Sequence, residues 1–161
     1  AGPQELAPQC VEALSERVVG GGGSVALAAC AALGDFAVGA RADRRSAAVL
    51  AVVALSEKAL QSLRSDIAAL AAGRLGDIAV RAALDDVAAQ GAAALQRQMF
   101  AHGSVAVRSA IARVLGAVAG EAEARAGETV RVLTTATLVD SEPDVRRAAA
   151  AALAAAASRM K

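Results

Sequence analysis

Aromatic side chains are almost absent from this chain. Phenylalanine, tyrosine and tryptophan make up 1% of its 161 residues, and neither tryptophan nor tyrosine occurs. Proteins that bind single-stranded nucleic acid stack the bases on aromatic rings, and Phe36 and Phe100 are too few to form such a surface. The net charge is +1, with lysine and arginine spread along the chain, so the sequence predicts no nucleic-acid partner.

The chain also lacks a long uninterrupted apolar run. Residues 18–34 carry no charge, but this segment is shorter than a membrane-spanning helix and contains four consecutive glycines. We therefore expect no membrane partner. The first residues, Ala1-Gly2-Pro3, contain neither the basic nor the apolar part of a signal peptide, so we expect a cytoplasmic protein.

Cysteine and histidine are scarce, which bears on metal binding. Cys10 and Cys30 fall in separate predicted helices without metal-ligand spacing, so we expect two reduced and buried thiols. His102 is the only histidine, and no second ligand stands near it at metal-ligand spacing. The sequence predicts no metal site. It leaves His102 either as a solvated or C-capping residue at a helix boundary or as a catalytic residue.

What the chain has in abundance is small apolar side chains. Hydrophobic residues make up 56% of the chain and, because aromatic residues are so few, they are mostly alanine, valine and leucine. Such a high alanine content favours helices that contact one another closely through small side chains. Because a core made mainly of alanine buries little area per residue, we expect subunit association, most simply a homodimer. No segment alternates as a strand does, so the predicted fold class is all-α, a single-domain bundle over residues 1–161.

Periodic apolar residues and capping signals divide the chain into about six predicted helices. The second is apolar almost all round, so we expect it at the centre of the fold. Asp77 takes the N-cap position of the fourth helix, after the glycines at 73 and 76, and Pro143 or Asp144 opens the last one. The predicted helices cover about residues 3–19, 24–40, 46–72, 77–100, 105–138 and 143–161.

The segment Gly20-Gly21-Gly22-Gly23-Ser24 is the most distinctive feature of the sequence. Glycine lets the backbone turn tightly and brings its N–H groups close to a ligand. Ser24 is a good N-cap, and the start of a helix attracts an anion or a carbonyl oxygen. The segment is therefore either a ligand-binding site formed by Gly21, Gly22, Gly23 and Ser24 or a connector that ends in a cap.

Three short segments share the D/S-x-V-R opening of a HEAT-type helix. Their arginines, Arg81, Arg108 and Arg146, stand 27 and 38 residues apart, whereas stacked repeats need a nearly fixed period. This spacing argues against a solenoid, because a capped helix start before an apolar face produces the same likeness. The segments are 77–81, 103–108 and 143–146.

Residues 20–32, GGGGSVALAACAA, resemble the glycine-rich hallmark of the cyclodeaminase and methenyltetrahydrofolate cyclohydrolase family, the C-terminal half of formiminotransferase-cyclodeaminase. Two more landmarks follow in the family's order. Residues 75–81 fall at the place of its D-x-D-A-x-A-aromatic segment, and residues 142–145 at the place of its late Ser-Asp. The chain departs from that pattern at Gly76, where the first aspartate is expected, and at Arg81, where the aromatic is expected.

The resemblance implies an all-helical dimer with a folate-sized cleft near the glycine-rich segment. It also implies ring closure of formiminotetrahydrofolate with loss of ammonia, or hydration of the methenyl bridge, both of which need a carboxylate acid–base catalyst. Asp77 is the first candidate for that role, with Asp144 and His102 after it, while N-capping is the alternative role of both aspartates. Arg81 and the glycine-rich segment are candidates for ligand binding, and no cofactor is implied beyond tetrahydrofolate as a substrate.

Three functions follow from the sequence. The first is an enzyme of the cyclodeaminase type that acts on a methenyl- or formimino-tetrahydrofolate or on a related amidine or imine. The second is a member of that family that cyclises a non-folate small molecule, because a pterin ring prefers the flat apolar partners that this chain lacks. The third is a non-catalytic HEAT-like interaction module.

Overall fold

A computed structural model describes residues 3–160, and every regular element in that range is helical. The all-α prediction is confirmed, whereas the predicted number of six helices is wrong, since this part of the chain forms eight α-helices. A 3-10 turn, Ala42–Arg44, precedes the third helix and a π-helical turn, Leu55–Ala59, follows it. The helices are α1 (Pro3–Gly20), α2 (Gly23–Gly39), α3 (Arg45–Ala54), α4 (Ser65–Arg81), α5 (Asp85–Ala101), α6 (Val105–Glu121), α7 (Glu123–Val139) and α8 (Pro143–Arg159).

The helices pack in two layers. Helices α2, α4, α6 and α8 contact one another in that order and form what we call the A layer. Helices α1, α3, α5 and α7 do the same and form the B layer. Each of α2, α4 and α6 also packs on the helix that follows it, and the short connections make such neighbours antiparallel. Stacked helix pairs of this kind are the arrangement of α-solenoid repeats.

Three glycines occupy equivalent places in the A layer and bring its helices close together. Gly34, Gly76 and Gly116 are 42 and 40 residues apart. A Cβ atom on Gly116 would lie 2.8 Å from the Cβ atom of Ala152 and 2.9 Å from its carbonyl oxygen, so a side chain here would push α8 away from α6. In the same way, Gly34 lies against Arg74 and Gly76 lies against Val114.

The expectation of an irregular repeat period is wrong, because it compared residues from different places in the repeat. Arg81, assigned to a helix opening, lies in the last turn of α4. The third residue of α4 is Ile67, and its counterparts in α6 and α8 are Val107 and Val145, all three of them buried. These counterparts are 40 and 38 residues apart, so the period is nearly constant.

Several predicted helix boundaries are also wrong. The glycines at 73 and 76 do not end a helix but lie inside α4, and Asp77 is therefore not an N-cap. A helical glycine costs about 1 kcal/mol. At Gly76 the missing side chain lets Val114 on α6 approach closely. The breaks fall instead at residues 60–64 and 82–84, and the predicted helix 105–138 is divided at Ala122, whose backbone is extended.

The core lies between the two layers and is supplied by almost every helix. Cys30 is buried there as expected, and burial raises the pKa of its thiol to about 11. Cys10, by contrast, is exposed, so its predicted burial is wrong. Six fully buried leucines recur along the chain at nearly constant spacing. They are Leu33, Leu55, Leu75, Leu95, Leu115 and Leu133.

The prediction that α2 lies at the centre of the fold is wrong. Helix α2 packs between α1 and α4 near one end of the stack. The helices with the most neighbouring α-helices are α5 and α6. No helix within residues 3–160 is long and apolar enough to cross a lipid bilayer. Ala1 and Gly2, on which the expectation about a signal peptide partly rests, lie outside the described residues.

Candidate functional site

The glycine-rich segment joins α1 to α2 without a left-handed residue, since no φ in residues 3–160 is positive. Gly22 is the N-cap of α2, in an extended conformation, and the helix begins at Gly23. The prediction that Ser24 is the N-cap is therefore wrong. Gly23 packs directly against the guanidinium group of Arg64, which donates a 2.6 Å hydrogen bond to Asp66. A side chain at position 23 would displace this guanidinium group.

Asp77 and Arg81 lie together on the outer face of the A layer. Arg81 Nη1 donates a 3.0 Å hydrogen bond to Asp77 Oδ1, and Arg74 Nη1 lies 3.9 Å from Asp77 Oδ2. Both residues line a shallow groove of about 230 Å³ between α4 and α6, with Glu121 at its edge. Arg81 also pairs with Glu121 at 3.6 Å. The arrangement is one of partly exposed ion pairs, which are common on protein surfaces.

The glycine-rich segment and Asp77 lie at opposite ends of α4. Arg64, which packs on Gly23, directly precedes the first residue of α4, and Asp77 comes 13 residues later. With a rise of 1.5 Å per residue, the two places are about 20 Å apart along the helix. One chain therefore does not bring the glycine-rich segment and the first-choice carboxylate to the same small-molecule cleft.

Asp144 lies at a third place. It is the second residue of α8, after Pro143, and Glu142 is the N-cap, so the capping role predicted for Asp144 is wrong. Its exposed carboxylate forms an ion pair with Arg147 on the next turn. Because α8 is three helices away from α2 in the A layer and packed helices lie 8–10 Å apart, about 25 Å separates the beginnings of these two helices.

His102 is the C-cap of α5, as one of its two predicted roles requires. Its Nδ1 atom accepts a hydrogen bond of 3.1 Å from the backbone N–H of Ser104, which assigns the ring proton to Nε2. Nε2 then donates a 2.8 Å hydrogen bond to the carbonyl oxygen of Leu60. Both ring nitrogens are thus used to join the end of α5 to the segment that follows the π-helical turn.

One ion pair is nearly buried and joins α6 to the connection between α7 and α8. Arg108 Nε donates to Asp140 Oδ2 at 3.1 Å, and its Nη2 donates to Oδ1 at 3.2 Å. Burial raises the pKa of Asp140, but the hydrogen bond from the Glu142 amide and the Arg108 guanidinium outweigh it, so the pKa lies below its ordinary value. This pair links α6 to the connection between α7 and α8, and Arg108 Nη1 also donates a 2.8 Å hydrogen bond to the carbonyl oxygen of His102.

The B layer has a groove between α1 and α3. Its volume is about 350 Å³, and Leu50 and Val53 line one wall while 47% and 41% of their surfaces remain exposed. Val11 forms part of the opposite wall. Glu12 on α1 and Lys58, at the end of the π-helical turn, carry the charges at its edges. The groove therefore offers an apolar floor between two opposite charges.

A smaller pocket adjoins this groove between α3 and α5, and Val53 lines both. Its volume is about 110 Å³. Ser56, from the π-helical turn, lines the pocket with only 2% of its surface exposed, and its hydroxyl has no hydrogen-bond partner among the described residues. Glu57, Gln90 and Arg97 provide the other polar groups around it.

None of these B-layer residues was a candidate from the sequence. Residues 46–72 were assigned to one predicted helix, and a serine within a helical apolar run carries no signal of its own. The cluster Ser62-Leu63-Arg64-Ser65-Asp66 is the one available signal, because it resembles a helix start and coincides with the beginning of α4 at Ser65. Within residues 3–160, no group of three or more His, Cys, Asp or Glu side chains is placed to hold a metal ion.

Comparison with known proteins supports the fold alone. No family model and no curated protein matches the chain. Among solved structures, the chain is similar to the crystal structure of an engineered protein from the Northeast Structural Genomics Consortium. The two are 25% identical, with a TM-score of 0.52, over 98% of this chain and 68% of that one. The resemblance to the cyclodeaminase family stays a prediction.

Proposed function

We propose that this chain is a non-catalytic helical-repeat module that binds a peptide segment of a partner protein along its B layer. The observation that carries the proposal is the groove between α1 and α3, where Leu50 and Val53 remain partly exposed beside a continuous surface leading to α5. Stacked helix pairs form extended surfaces of this kind, and repeat proteins use them to bind other proteins.

The chemistry of the groove defines the peptide. An aliphatic side chain fits between Val11 and Leu50, because both walls are apolar. Glu12 and Lys58 form no ion pair among the described residues, so they are available to a basic and an acidic group of the peptide. We therefore expect a segment with one aliphatic anchor and charges of both signs around it.

The geometry of the chain favours this module over a cyclodeaminase, because the residues that the folate reaction would require lie far apart. Asp77 is engaged by two arginines, and the glycine-rich segment lies about 20 Å from it along α4. A general acid–base catalyst must lie within hydrogen-bond reach of the substrate that the rest of the site holds. A helical-repeat module needs no such juxtaposition.

Two further expectations belong to this proposal. Because the core is rich in alanine, we infer that association into a homodimer adds to the stability of the single chain, which sedimentation equilibrium tests. Cys10 and Cys30 are both free, as is usual in a reducing compartment, and this supports a cytoplasmic location.

The experiment is a selection of peptides from a random phage-displayed library on the immobilised chain. Enriched peptides are synthesised, and their affinities for the wild-type chain and for Leu50→Asp are compared by fluorescence polarisation. We expect the substitution to weaken binding at least about tenfold, since a charge placed in the apolar groove must be desolvated when the peptide binds.

Leu63→Asp is the matched control, because Leu63 is fully exposed in the connection between the π-helical turn and α4. We expect this variant to bind the same peptides within about twofold of wild type. Peptides that bind Leu50→Asp and wild type equally well, or a library from which nothing is enriched, would refute the proposal.

A further inference from the structure

The A layer repeats one contact between successive helices. In α4, α6 and α8, the tenth residue packs on the glycine that is the twelfth residue of the preceding helix, as Ala152 does on Gly116. The eighth and fifteenth residues, on the same face as that glycine, are also small and buried. In α2, α4 and α6 they are Cys30 and Ala37, Ala72 and Ala79, and Ala112 and Ala119. Each of these three helices therefore receives the next helix on a face of small side chains.

Helix α8 has the same face, but no helix among the described residues covers it. Its eighth, twelfth and fifteenth residues, Ala150, Ala154 and Ala157, are all exposed, and we call them the α8 face. Residues 148–157 around them are nine alanines and one leucine, so no polar side chain lies in this part of the helix. The terminal helices of repeat proteins normally present a polar outer face to water. The α8 face lacks this property and retains the composition of a covered face.

Helix α2 has the complementary face at the other end of the stack. Its third residue, Val25, is 48% exposed, whereas the third residues of the other A-layer helices are at most 7% exposed. Its tenth and fourteenth residues, Ala32 and Phe36, are also partly exposed. We call Val25, Ala32 and Phe36 the α2 face. These positions correspond to those with which α4, α6 and α8 pack on the helix before them.

We infer that the α8 face of one copy of this chain binds the α2 face of a second copy, so that copies stack head to tail. The contact continues the A layer from one copy to the next. Ala154 takes the place of Gly116, and Ala32 of the partner subunit takes the place of Ala152. Neither face carries a charge, so no ionised group has to be buried. Because Ala154 has a methyl group where the other helices have glycine, the two helices lie farther apart than α6 and α8 do.

The size of the contact predicts a weak association. A helix of 17 residues is about 25 Å long and two packed helices are about 20 Å wide, so each end of the stack offers about 500 Å². Two such ends bury about 1,000 Å² in total, which is near the lower limit for a specific interface. A head-to-tail pair still has one α8 face and one α2 face free, so further copies add as the concentration rises.

The inference goes beyond the proposed function and does not rest on it. Neither face includes a residue of the groove between α1 and α3. Peptide selection and self-association therefore test separate surfaces, and either result can fail while the other stands.

The first experiment is sedimentation velocity of the full chain over a hundredfold range of concentration. We expect the wild-type chain to pass from monomer to dimer and then to larger species. Ala154→Lys and Val25→Lys each place an ammonium group in the contact that must lose its water, so each should weaken self-association at least about tenfold. Circular dichroism checks that the variants keep their helix content.

Ala155→Lys is the matched control for Ala154→Lys. Ala155 is also exposed on α8, but it points about 100° away from Ala154 around the helix axis. The same substitution there adds the same charge outside the α8 face. We expect this variant to associate within about twofold of wild type, and equal weakening by the two substitutions would overturn the inference.

Mixing the two blocked variants tests the direction of stacking. Ala154→Lys retains its α2 face and Val25→Lys retains its α8 face, so an equimolar mixture should form a 1:1 dimer that grows no further. Val25→Lys that dimerises alone as strongly as wild type would indicate pairing of two α8 faces and would overturn head-to-tail stacking. A mixture that stays monomeric, or a wild-type chain that is monomeric throughout the range, would overturn it as well.

Discussion

The outward-facing charges of the A layer differ in their pairing from the charges around the cavities of the B layer. In the A layer, ion pairs connect each helix to the next. Arg74 on α4 pairs with Asp35 on α2 at 2.9 Å, and Arg81 on α4 pairs with Glu121 on α6 at 3.6 Å. Arg159 on α8 reaches the same glutamate at 3.4 Å. These pairs follow the direction in which the helices stack.

In the B layer, the charges around the two adjoining cavities form no such pairs among the described residues. Glu12 and Lys58 lie at the larger groove, and Glu57 and Arg97 lie at the smaller pocket. Partly exposed leucine and valine side chains lie between them. Elsewhere in the B layer, ion pairs do connect neighbouring helices, since Arg45 on α3 pairs with Asp86 on α5 at 2.8 Å and Arg125 on α7 pairs with Asp85 on α5 at 2.6 Å. The comparison therefore separates the groove between α1 and α3 from the rest of both layers, and the proposed binding surface lies at that groove.

The largest effect on the free energy of unfolding is expected at the nearly buried ion pair of Arg108 and Asp140. Asp140→Asn leaves the guanidinium charge buried without its carboxylate, and removing one partner of such a pair typically costs 3–5 kcal/mol. We expect a loss of about 3 kcal/mol in the free energy of unfolding at pH 7, measured by urea denaturation.

The pH dependence of that loss has a defined sign. Because the pKa of Asp140 is lower in the folded chain, its contribution to stability is fully present above the unfolded value near 3.9 and disappears as the pH falls through the folded value. The difference between wild type and Asp140→Asn should therefore shrink below about pH 4. Asp144→Asn, which alters an exposed pair, should change stability by less than about 0.5 kcal/mol at any pH.

A second prediction concerns the close packing of the A layer. Gly116→Ala places a Cβ atom against the backbone of Ala152, so we expect a loss of about 2 kcal/mol despite the better helix propensity of alanine. Gly73→Ala, in a helix of the same layer but with no atom within 4 Å of the new Cβ, should gain about 0.5–1 kcal/mol. Thermal or urea unfolding measures the change in the free energy of unfolding for both variants. If both variants were stabilised, or both destabilised, the stacking of α6 on α8 would be contradicted.

A third prediction compares two buried serines, Ser15 in α1 and Ser56 in the π-helical turn that follows α3. Ser15→Ala removes a hydrogen bond of 2.8 Å and should cost about 1 kcal/mol. Ser56→Ala removes a hydroxyl without a partner, so its unfolding free energy should equal or exceed that of wild type. A cost for Ser56→Ala as large as that for Ser15→Ala would mean that the hydroxyl is already satisfied.

The smallest effect on stability is expected at Asp77. Its ion pairs are partly exposed, so Asp77→Asn should change the unfolding free energy by about 0.5 kcal/mol or less. We also expect the wild-type chain not to accelerate the loss of the methenyl-tetrahydrofolate chromophore, followed by absorbance. Acceleration by wild type that Asp77→Asn abolishes would instead support an enzyme of the cyclodeaminase type.

Some of the fold could be predicted well from local signals. The bounds of α1 and α2, the beginning of α8 at Pro143 and the helix boundary at His102 agree with the sequence interpretation, because proline, capping residues and apolar periodicity act over a few residues. The errors in α4 come from Gly73 and Gly76. Local propensity treats these glycines as helix ends, whereas the packing of α4 as a whole on its neighbours keeps them inside a helix.

The candidate site was less predictable, because it depends on which helices become neighbours. Asp77 and Arg81 are one helical turn apart, so their contact follows from local helix geometry alone. The separation of both from the glycine-rich segment follows from the length of α4. Ser56 and Arg97 are 41 residues apart, and only the packing of α3 on α5 brings them to one pocket.

The sequence by itself determined that this protein is helical and that small side chains bring its helices close together. Both follow from alanine content and from a 3.6-residue periodicity, which are local properties of the chain. The tertiary structure decided that the helices stack in two layers with a nearly constant period. It also decided which charges of neighbouring helices form ion pairs and that the Ser56 hydroxyl has no partner among the described residues, since such partnerships depend on contacts between residues that are distant in the sequence.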